Sequence, residues 1–281
     1  MWVPCSWREH QAERMKLVCG IEYDGTDYHG FQRQASEREP TVQGTLETAI
    51  KRISGTFSVV YGAGRTDAGV HASGQVIHFN TVSHLTPAVW LRALNAVLPR
   101  SAVAVRWTRE GHAEFHARFS ALSRSYRYTI WNDATPSPLH ARYSYHCTQA
   151  LDVNLMHEAC QLVLGRKDFA AFGRSPDETN PRKPGPHHCI RTILAAHCVR
   201  DARLEMPQLI YCDFTADAFL TGMVRRMVGT LVLVGQHRLS LDEFATIVRK
   251  AEKTHPGSAA PSHGLCLVRV DYPEKFGVNE R

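Results

Sequence analysis

The residues best suited to chemistry lie between positions 61 and 75, in the stretch YGAGRTDAGVHASGQ. Four glycines in this stretch allow a bulky substrate to come close to the backbone, because glycine carries no side chain. One acid, Asp67, follows Arg65 by two positions, and a nearby cation favours the ionised form of a carboxylate. Such a carboxylate can act as a nucleophile or as a base. The alternative is an ordinary turn that an ion pair stabilises.

Other chemistries that use glycine-rich loops or carboxylates fit this stretch less well. The dinucleotide pattern G-x-G-x-x-G would begin at Gly62, but its third glycine position holds Asp67, whose charge would repel a pyrophosphate. The Walker pattern fails because it requires Gly-Lys-Ser/Thr. Glycoside hydrolysis needs two carboxylates on either side of one bond, and the loop supplies one. We therefore predict no nucleotide cofactor and consider a sugar hydrolase a poor fit.

Size and composition are typical of a globular protein. The chain has 281 residues, of which 43% are hydrophobic and 21% charged. This length predicts one large domain or two modest ones. No segment approaches eighteen consecutive apolar residues, and the first residues lack the apolar run of a secretory signal. We therefore expect no membrane contact and a cytoplasmic location.

The cysteines and the net charge narrow the class further. Eight cysteines without a Cys-x-x-Cys pair favour a reduced protein over a disulfide scaffold. The pairs His188-Cys189 and His197-Cys198 could be metal ligands, but zinc sites usually bring two ligands together within a few residues twice. We therefore expect no metal. The net charge of +6 is compatible with a polyanionic partner but does not require one.

The elements that would position the Asp67 loop follow the order β-α-β-β-α-β. Strands are predicted at KLVCGIEYDG, FSVVYGA, QVIHFN and SAVAVRWT. Apolar residues at helical spacing predict a first helix that ends near Gly55. A second helix has Thr86 as its N-cap, Pro87 at its first position and Pro99 as its stop. This order is that of a ferredoxin-like unit.

The remainder of the chain repeats this order. Strands are predicted at ARFSALSRSYRYTIW, CIRTILAAHCV, LIYCDFTA and LCLVRVDY, and helices after Asp152 and over 218–236 and 241–252. We predict an α+β fold of two tandem ferredoxin-like halves. The halves are residues 15–110, which carry the Asp67 loop, and 111–281, and residues 1–14 are an N-terminal extension predicted to be disordered. The Pro-rich, charged segment 173–188 is predicted to be a long loop, either functional or merely solvated.

Ordered blocks along the chain resemble the TruA family of tRNA pseudouridine synthases. AGRTDAGVHA is similar to that family's active-site motif. From about Lys16 to Pro273 its other blocks are matched, in order, by IEYDGTDYHGFQRQ, TVQGTLE, FHARFSA, SYRYTIWN, FLTGMVRRMVGTL and GLCLVRVDYP. The resemblance implies the pseudouridine synthase fold, with a central antiparallel sheet and a cleft.

The resemblance also implies an isomerase that acts on tRNA. Such an enzyme detaches uracil from ribose C1′, rotates it and reattaches it through C5, with no metal or cofactor. The implied substrate is the anticodon stem-loop, at tRNA positions 38, 39 or 40, bound by a homodimer. The alternative is a non-catalytic RNA-binding module of RRM-like fold, although no RNP1-like string is present.

The resemblance assigns roles to particular residues. Asp67 matches the catalytic aspartate, as nucleophile at C1′ or base at C2′, and Arg225 matches an arginine set against it. Arg65 is a second candidate for that place, and Arg225 could instead be a surface residue with a buried stem. Tyr126 matches a tyrosine that packs on the uracil, and Leu265 an apolar residue of the same pocket, although both could be ordinary strand and core residues. Candidates for phosphate contacts are Arg33, Arg118, Arg124, Arg127 and Arg226.

Overall fold

The computed structural model describes residues 15–34, 39–173, 189–201, 206–251 and 257–279. The predicted extension 1–14 and nearly all of the predicted loop 173–188 lie outside these residues. Within the described ranges, no helix has both the length and the apolar character needed to span a membrane.

Ten strands within the described ranges form one sheet in the order β4-β1-β3-β10-β5-β9-β8-β7, with β2 paired to β3 and β6 to β5. The strands are β1 (Met15–Tyr23), β2 (Tyr61–Gly62), β3 (His71–Thr81), β4 (Val103–Glu110), β5 (Ser123–Asn132), β6 (Tyr145–Cys147), β7 (Gly165–Asp168), β8 (Ile190–Arg200), β9 (Leu209–Ala216) and β10 (Leu265–Asp271). The helices are α1 (Val42–Ser54), α2 (Pro87–Val97), α3 (Val153–Leu162), α4 (Met223–Gly235) and α5 (Leu241–Lys250).

The two parts of the sheet share one strand order. In the first part β4, β1 and β3 lie side by side with β2 on the edge of β3, and in the second part β10, β5, β9 and β8 follow the same scheme. The predicted pair of ferredoxin-like halves is therefore confirmed. All pairings along the main path are antiparallel except one: β3 and β10 pair in parallel through Cys266 with His71 and Leu267 with Ala72. This short parallel contact joins the two halves.

The helix ends follow from their capping residues. The Thr86 side chain accepts a hydrogen bond from the backbone N–H of Val89, and the Asp152 side chain caps α3 in the same way. Helix α1 ends at Gly55, which has a left-handed φ of 74°. These three predictions are confirmed.

Several predicted element boundaries are wrong: the strand predicted at FSVVYGA is limited to Tyr61–Gly62, and two further errors are larger. The helix predicted over 218–236 begins only at Met223, because Gly222 has a φ of 71° that breaks the helical path. The long strand predicted from 117 begins at Ser123. Both errors concern chain that enters the site described below.

Candidate active site

A cleft of about 580 Å³ opens beside the parallel contact between β3 and β10. Six of the seven residues predicted for the site line it, and Arg33 does not. The six are Arg65, Asp67, Arg118, Tyr126, Arg225 and Leu265. They come from both halves of the chain, so the sheet junction brings together residues that are far apart in sequence.

The Asp67 carboxylate faces a guanidinium across the cleft. The distance from Arg225 Nη1 to Asp67 Oδ2 is 3.5 Å, and the side chains are 23% and 37% exposed, respectively. Arg225 lies in the first turn of α4, and its Nε donates a hydrogen bond of 2.7 Å to the carbonyl of Ala260. The guanidinium is thus held by the protein while Asp67 stays accessible to a substrate.

Arg65 has a different position. Its side chain is exposed and lines the cleft, but among the described residues it forms no ion pair with Asp67 within 4.0 Å. Residues 63–70 form no regular strand, so the rule that would place residues 65 and 67 on the same side of an extended chain does not apply to them. The arginine that pairs with Asp67 is therefore the one on α4, 158 positions along the chain from it.

Buried polar groups hold the loop of residues 63–70, hereafter the Asp67 loop, from behind. The fully buried Gln75 side chain donates to the Gly64 carbonyl at 2.8 Å and accepts from the Gly64 N–H at 3.3 Å. The Tyr23 hydroxyl and the Thr66 Oγ1 are 2.8 Å apart. Since both partners in each contact are inside the protein, the loop backbone has little freedom to move.

The chain between Tyr28 and Phe31 also braces the Asp67 loop. The N–H of Phe31 donates to the Thr66 carbonyl at 3.0 Å, and the N–H of Gly69 donates to the Tyr28 carbonyl at 3.2 Å. Gly30 has a φ of 88°, and a Cβ there would lie 2.7 Å from the Thr66 carbonyl oxygen. Only glycine fits at this position, because a side chain would push the Asp67 loop into the cleft.

Tyr126 forms an aromatic wall of the cleft. It is buried on β5 and meets the Phe219 ring edge to face, with centroids 5.2 Å apart. Burial raises the pKa of Tyr126 well above its usual value, and the charge of Asp67 acts in the same direction. The hydroxyl is therefore neutral near pH 7. Leu265, buried at the start of β10, adds an apolar side chain to the same cleft.

The sequence analysis missed part of the cleft wall. Residues 218–222, which the sequence placed inside a helix, form an irregular segment that lines the cleft. Its apolar residues Phe219 and Leu220 continue the helical spacing of α4, so the sequence pattern predicts that they belong to that helix. The one signal that could have separated them is Gly222, since glycine commonly marks a helix end. Arg191 on β8 lines the cleft as well.

Arg124, one of the candidates for phosphate contacts, is used inside the protein. Its guanidinium is buried and directs all five of its N–H groups at backbone carbonyls. The acceptors are the carbonyls of Ala63, Arg118, Ala121 and Asp217. No N–H group of this arginine is left for a phosphate.

Three other predicted phosphate contacts are at the surface. Arg118 is exposed at the cleft, with its guanidinium 5.6 Å from the Phe119 ring centroid. Arg33 lies outside the cleft, where its Nε is 3.2 Å from Glu47 Oε2. Arg127 forms a two-bond ion pair with Asp213, at 2.7 Å for each bond. Contacts from these three arginines to RNA, and from Arg226, which does not line the cleft, stay predictions.

The described ranges contain no cluster of three or more His, Cys, Asp or Glu residues that is arranged to hold a metal ion. The side chains that line the cleft include a carboxylate, a guanidinium and an aromatic ring.

Comparison with known proteins gives a consistent match along most of the chain. A family model described as tRNA pseudouridine synthase matches residues 21–120 and 159–273. The chain is 40% identical over 263 residues to tRNA pseudouridine synthase A of Blochmanniella pennsylvanica, covering 94% of this chain and 95% of that protein. It is 43% identical over 253 residues to that of Methylacidiphilum infernorum, covering 90% and 94%, and 37% identical over 268 residues to that of Escherichia coli, covering 95% and 94%.

Proposed function

Since the chain belongs to the tRNA pseudouridine synthase family and isomerises uridine in tRNA to pseudouridine, we propose that Asp67 acts on the ribose of a uridine flipped into the cleft. The observation that carries this proposal is the accessible Asp67 carboxylate, 3.5 Å from the Arg225 guanidinium in a cleft walled by Tyr126. A base stacked in an RNA stem cannot reach such a group, so it must leave the stem first.

Two routes are open to the carboxylate, and both balance. As a nucleophile, an Asp67 oxygen bonds to C1′ while the C1′–N1 bond breaks and uracil leaves as an anion. After the base rotates, C5 bonds to C1′, the aspartate leaves, C5 loses its proton and N1 gains one. As a base, Asp67 takes the C2′ proton while uracil leaves as an anion; after C5 bonds to C1′, that proton returns to C2′, C5 loses its own proton and N1 gains one. Either route consumes nothing and ends at an isomer, so no cofactor is required.

The other cleft residues have supporting roles. The Arg225 guanidinium sets a positive charge beside Asp67, which stabilises the carboxylate form. The buried Tyr126 ring offers a flat face for the free uracil, and stacking of a base on an aromatic ring contributes about 1–3 kcal/mol. Leu265 completes the apolar part of the pocket, and Arg65 is an exposed cation at its rim.

The proposed substrate is the anticodon stem-loop of tRNA, bound by a homodimer. The net charge of +6 per chain is modest for a polyanionic partner, and a second chain doubles it. The repeated strand order supports a boundary between the halves near residue 110. None of the seven cysteines that the structure describes is in a disulfide, which supports action in the reducing cytoplasm.

The test is release of tritium from tRNA that is labelled at uracil C5. Wild-type protein is expected to release it without added metal, and Asp67→Asn to lower the rate about 10³-fold or more while tRNA binding persists. Asp133→Asn, a change of a carboxylate outside the cleft, is the matched control and should release tritium normally. Equal release by Asp67→Asn and the wild type would remove this residue from the mechanism.

A further inference from the structure

A row of exposed apolar side chains lies along residues 57–61, the segment that leads into β2. Phe57, Val59 and Tyr61 are 52%, 39% and 43% exposed. Between them, Val60 is buried and Ser58 is half-buried, with its Oγ donating to the Asn80 carbonyl at 2.8 Å. Because alternate residues of an extended segment share a side, the three exposed side chains form one outward row.

The row continues onto a second segment of the chain. The Tyr61 and His116 ring centroids are 5.2 Å apart, and those of His116 and Phe119 are 4.4 Å apart. Phe119 is 77% exposed, although phenylalanine is among the residue types most often buried. We call Phe57, Val59, Tyr61, His116 and Phe119 together the aromatic stripe.

The two histidine rings that contact Tyr61 are uncharged at neutral pH. Tyr61 stacks on the buried His78 ring at 5.0 Å with an interplanar angle of 17°. Burial lowers the pKa of His78 to about 3 and also lowers the pKa of His116. Both imidazoles are thus uncharged at neutral pH, and the stripe presents flat uncharged rings to solvent.

An arginine stands at each end of the aromatic stripe. Arg33 has its guanidinium 5.6 Å from the Phe57 centroid, and Arg118 has its own 5.6 Å from the Phe119 centroid. Arg118 also lines the cleft that contains Asp67, so the stripe begins at the cleft mouth and runs outward to Arg33. Arg33 also forms an ion pair with the buried Glu47 carboxylate, with its Nε 3.2 Å from Oε2, and its side chain stays 53% exposed.

Flat apolar faces between cations match one kind of ligand. Bases in single-stranded or looped RNA expose their faces and can stack on aromatic side chains, whatever the base sequence. The phosphates of such RNA form ion pairs with arginine. Paired bases hide those faces within the helix. We propose that the aromatic stripe binds unpaired nucleotides of the substrate RNA beside the flipped uridine, with bases stacked on Tyr61 and Phe119 and phosphates on Arg118 and Arg33. This inference rests on the proposed function.

Binding of unmodified tRNA to the stripe variants tests the inference. Phe119→Ala and Tyr61→Ala are each expected to raise the Kd about 10-fold, the size of one lost stacking contact. The matched control is Leu139→Ala, since Leu139 is 88% exposed and lies outside both the stripe and the cleft; its Kd should not change. The salt dependence separates the two kinds of contact: Arg118→Gln should lower the slope of log K against log salt by about 1, and the aromatic variants should leave it unchanged.

The possible outcomes distinguish this inference from its rivals. A Kd equal to that of wild type for both aromatic variants would overturn it. A shift of those variants to a smaller species in sedimentation, with unchanged affinity per assembled particle, would instead make the stripe an interface between copies of this chain. If wild-type protein bound tRNA through the stripe but released no tritium, the proposed function would fail and this inference would stand. Normal release with unchanged Kd would overturn the inference alone.

Discussion

The two walls of the cleft are held in place by different means. The Asp67 loop, residues 63–70, is fixed from behind by the buried Gln75 side chain and by backbone bonds to the chain at 28–31. The opposite wall, residues 218–225, is tied to residue 260 instead: Arg225 Nε donates to the Ala260 carbonyl at 2.7 Å, and the Ala260 N–H donates to the Arg225 carbonyl at 2.9 Å. The Asp67 carboxylate is therefore carried by a braced loop of the first half, and the guanidinium that faces it comes from the second half.

One buried arginine joins the two walls. Arg124 donates to the Ala63 carbonyl at 3.0 Å on the loop side and to the Asp217 carbonyl at 2.8 Å on the other side. Since each bond involves a charged donor, it is stronger than a neutral hydrogen bond. The distance between Asp67 and Arg225 thus depends on the hydrogen bonds of Arg124, which connect the two walls, as well as on the contacts within each wall.

The largest loss of turnover among these variants should come from removing the ion pair between Asp67 and Arg225 across the cleft. Arg225→Gln removes the only cation of the described residues that lies within 4.0 Å of Asp67. We expect turnover to fall about 100-fold, because an electrostatic contact in a partly enclosed site contributes about 3 kcal/mol. Arg225→Lys should recover part of this loss, since it restores the charge but not the bond to Ala260. Single-turnover tritium release measures both.

The neighbouring arginine provides the control for this pair. Arg226 follows in the same turn of α4 but does not line the cleft. Arg226→Gln therefore changes the net charge of the protein by the same amount as Arg225→Gln but leaves the ion pair between Arg225 and Asp67 intact. Its turnover at saturating tRNA should exceed that of Arg225→Gln by at least 10-fold. Equal losses in the two variants would mean that Arg225 acts through bulk charge rather than through Asp67.

The sequence located the members of the site better than it located their neighbours. Motif resemblance marked Asp67, Tyr126, Arg225 and Leu265, and all four line one cleft. Resemblance favoured Arg225 as the partner of Asp67, but the residues alone left Arg65 open as well, because its direction depends on how a glycine-rich loop turns. It also missed the segment 218–222, whose apolar spacing mimics a helix until Gly222 interrupts it.

The aromatic stripe shows a different limit of sequence reasoning. Tyr61 and His116 are 55 positions apart and meet only because the chain at 115–120 packs beside the β2–β3 edge. Nothing in FSVVYGA or FHARFSA indicates that their aromatic side chains share a surface. Long-range pairing across a sheet edge determines such surfaces, whereas local pattern determines the strands themselves.

An intermediate loss of turnover is expected when the support of the Asp67 loop is removed while Asp67 and Arg225 themselves are unchanged. Gln75→Leu leaves the Gly64 N–H and carbonyl without their partner, and a buried polar group left unpaired costs about 1–3 kcal/mol of unfolding free energy. We expect lower stability and about 10-fold slower turnover per folded molecule, because the Asp67 loop then samples unproductive positions. Denaturant unfolding and single-turnover tritium release measure the two quantities separately.

A matched site elsewhere in the first half separates stability from positioning. The Asn95 side chain donates to the Val105 carbonyl at 2.8 Å and accepts from the Val105 N–H at 2.9 Å, as Gln75 does with Gly64. Asn95→Leu should therefore destabilise the protein by a similar amount, with normal turnover per folded molecule. If Asn95→Leu slowed turnover as much as Gln75→Leu, general destabilisation would explain both results. Gln75 would then have no specific role in positioning the Asp67 loop.

The smallest effect concerns the aromatic wall, where two tyrosines alternate along β5. The Tyr128 hydroxyl donates to the Pro261 carbonyl at 2.8 Å, whereas the Tyr126 hydroxyl makes no hydrogen bond to any residue that the structure describes. Tyr128→Phe should therefore cost about 1 kcal/mol of unfolding free energy, and Tyr126→Phe close to none. Since Tyr126→Phe keeps the ring on which uracil would stack, turnover should fall only a few-fold. A loss of 100-fold with unchanged stability would show that the hydroxyl itself takes part in the chemistry, and the wall would then supply more than a surface.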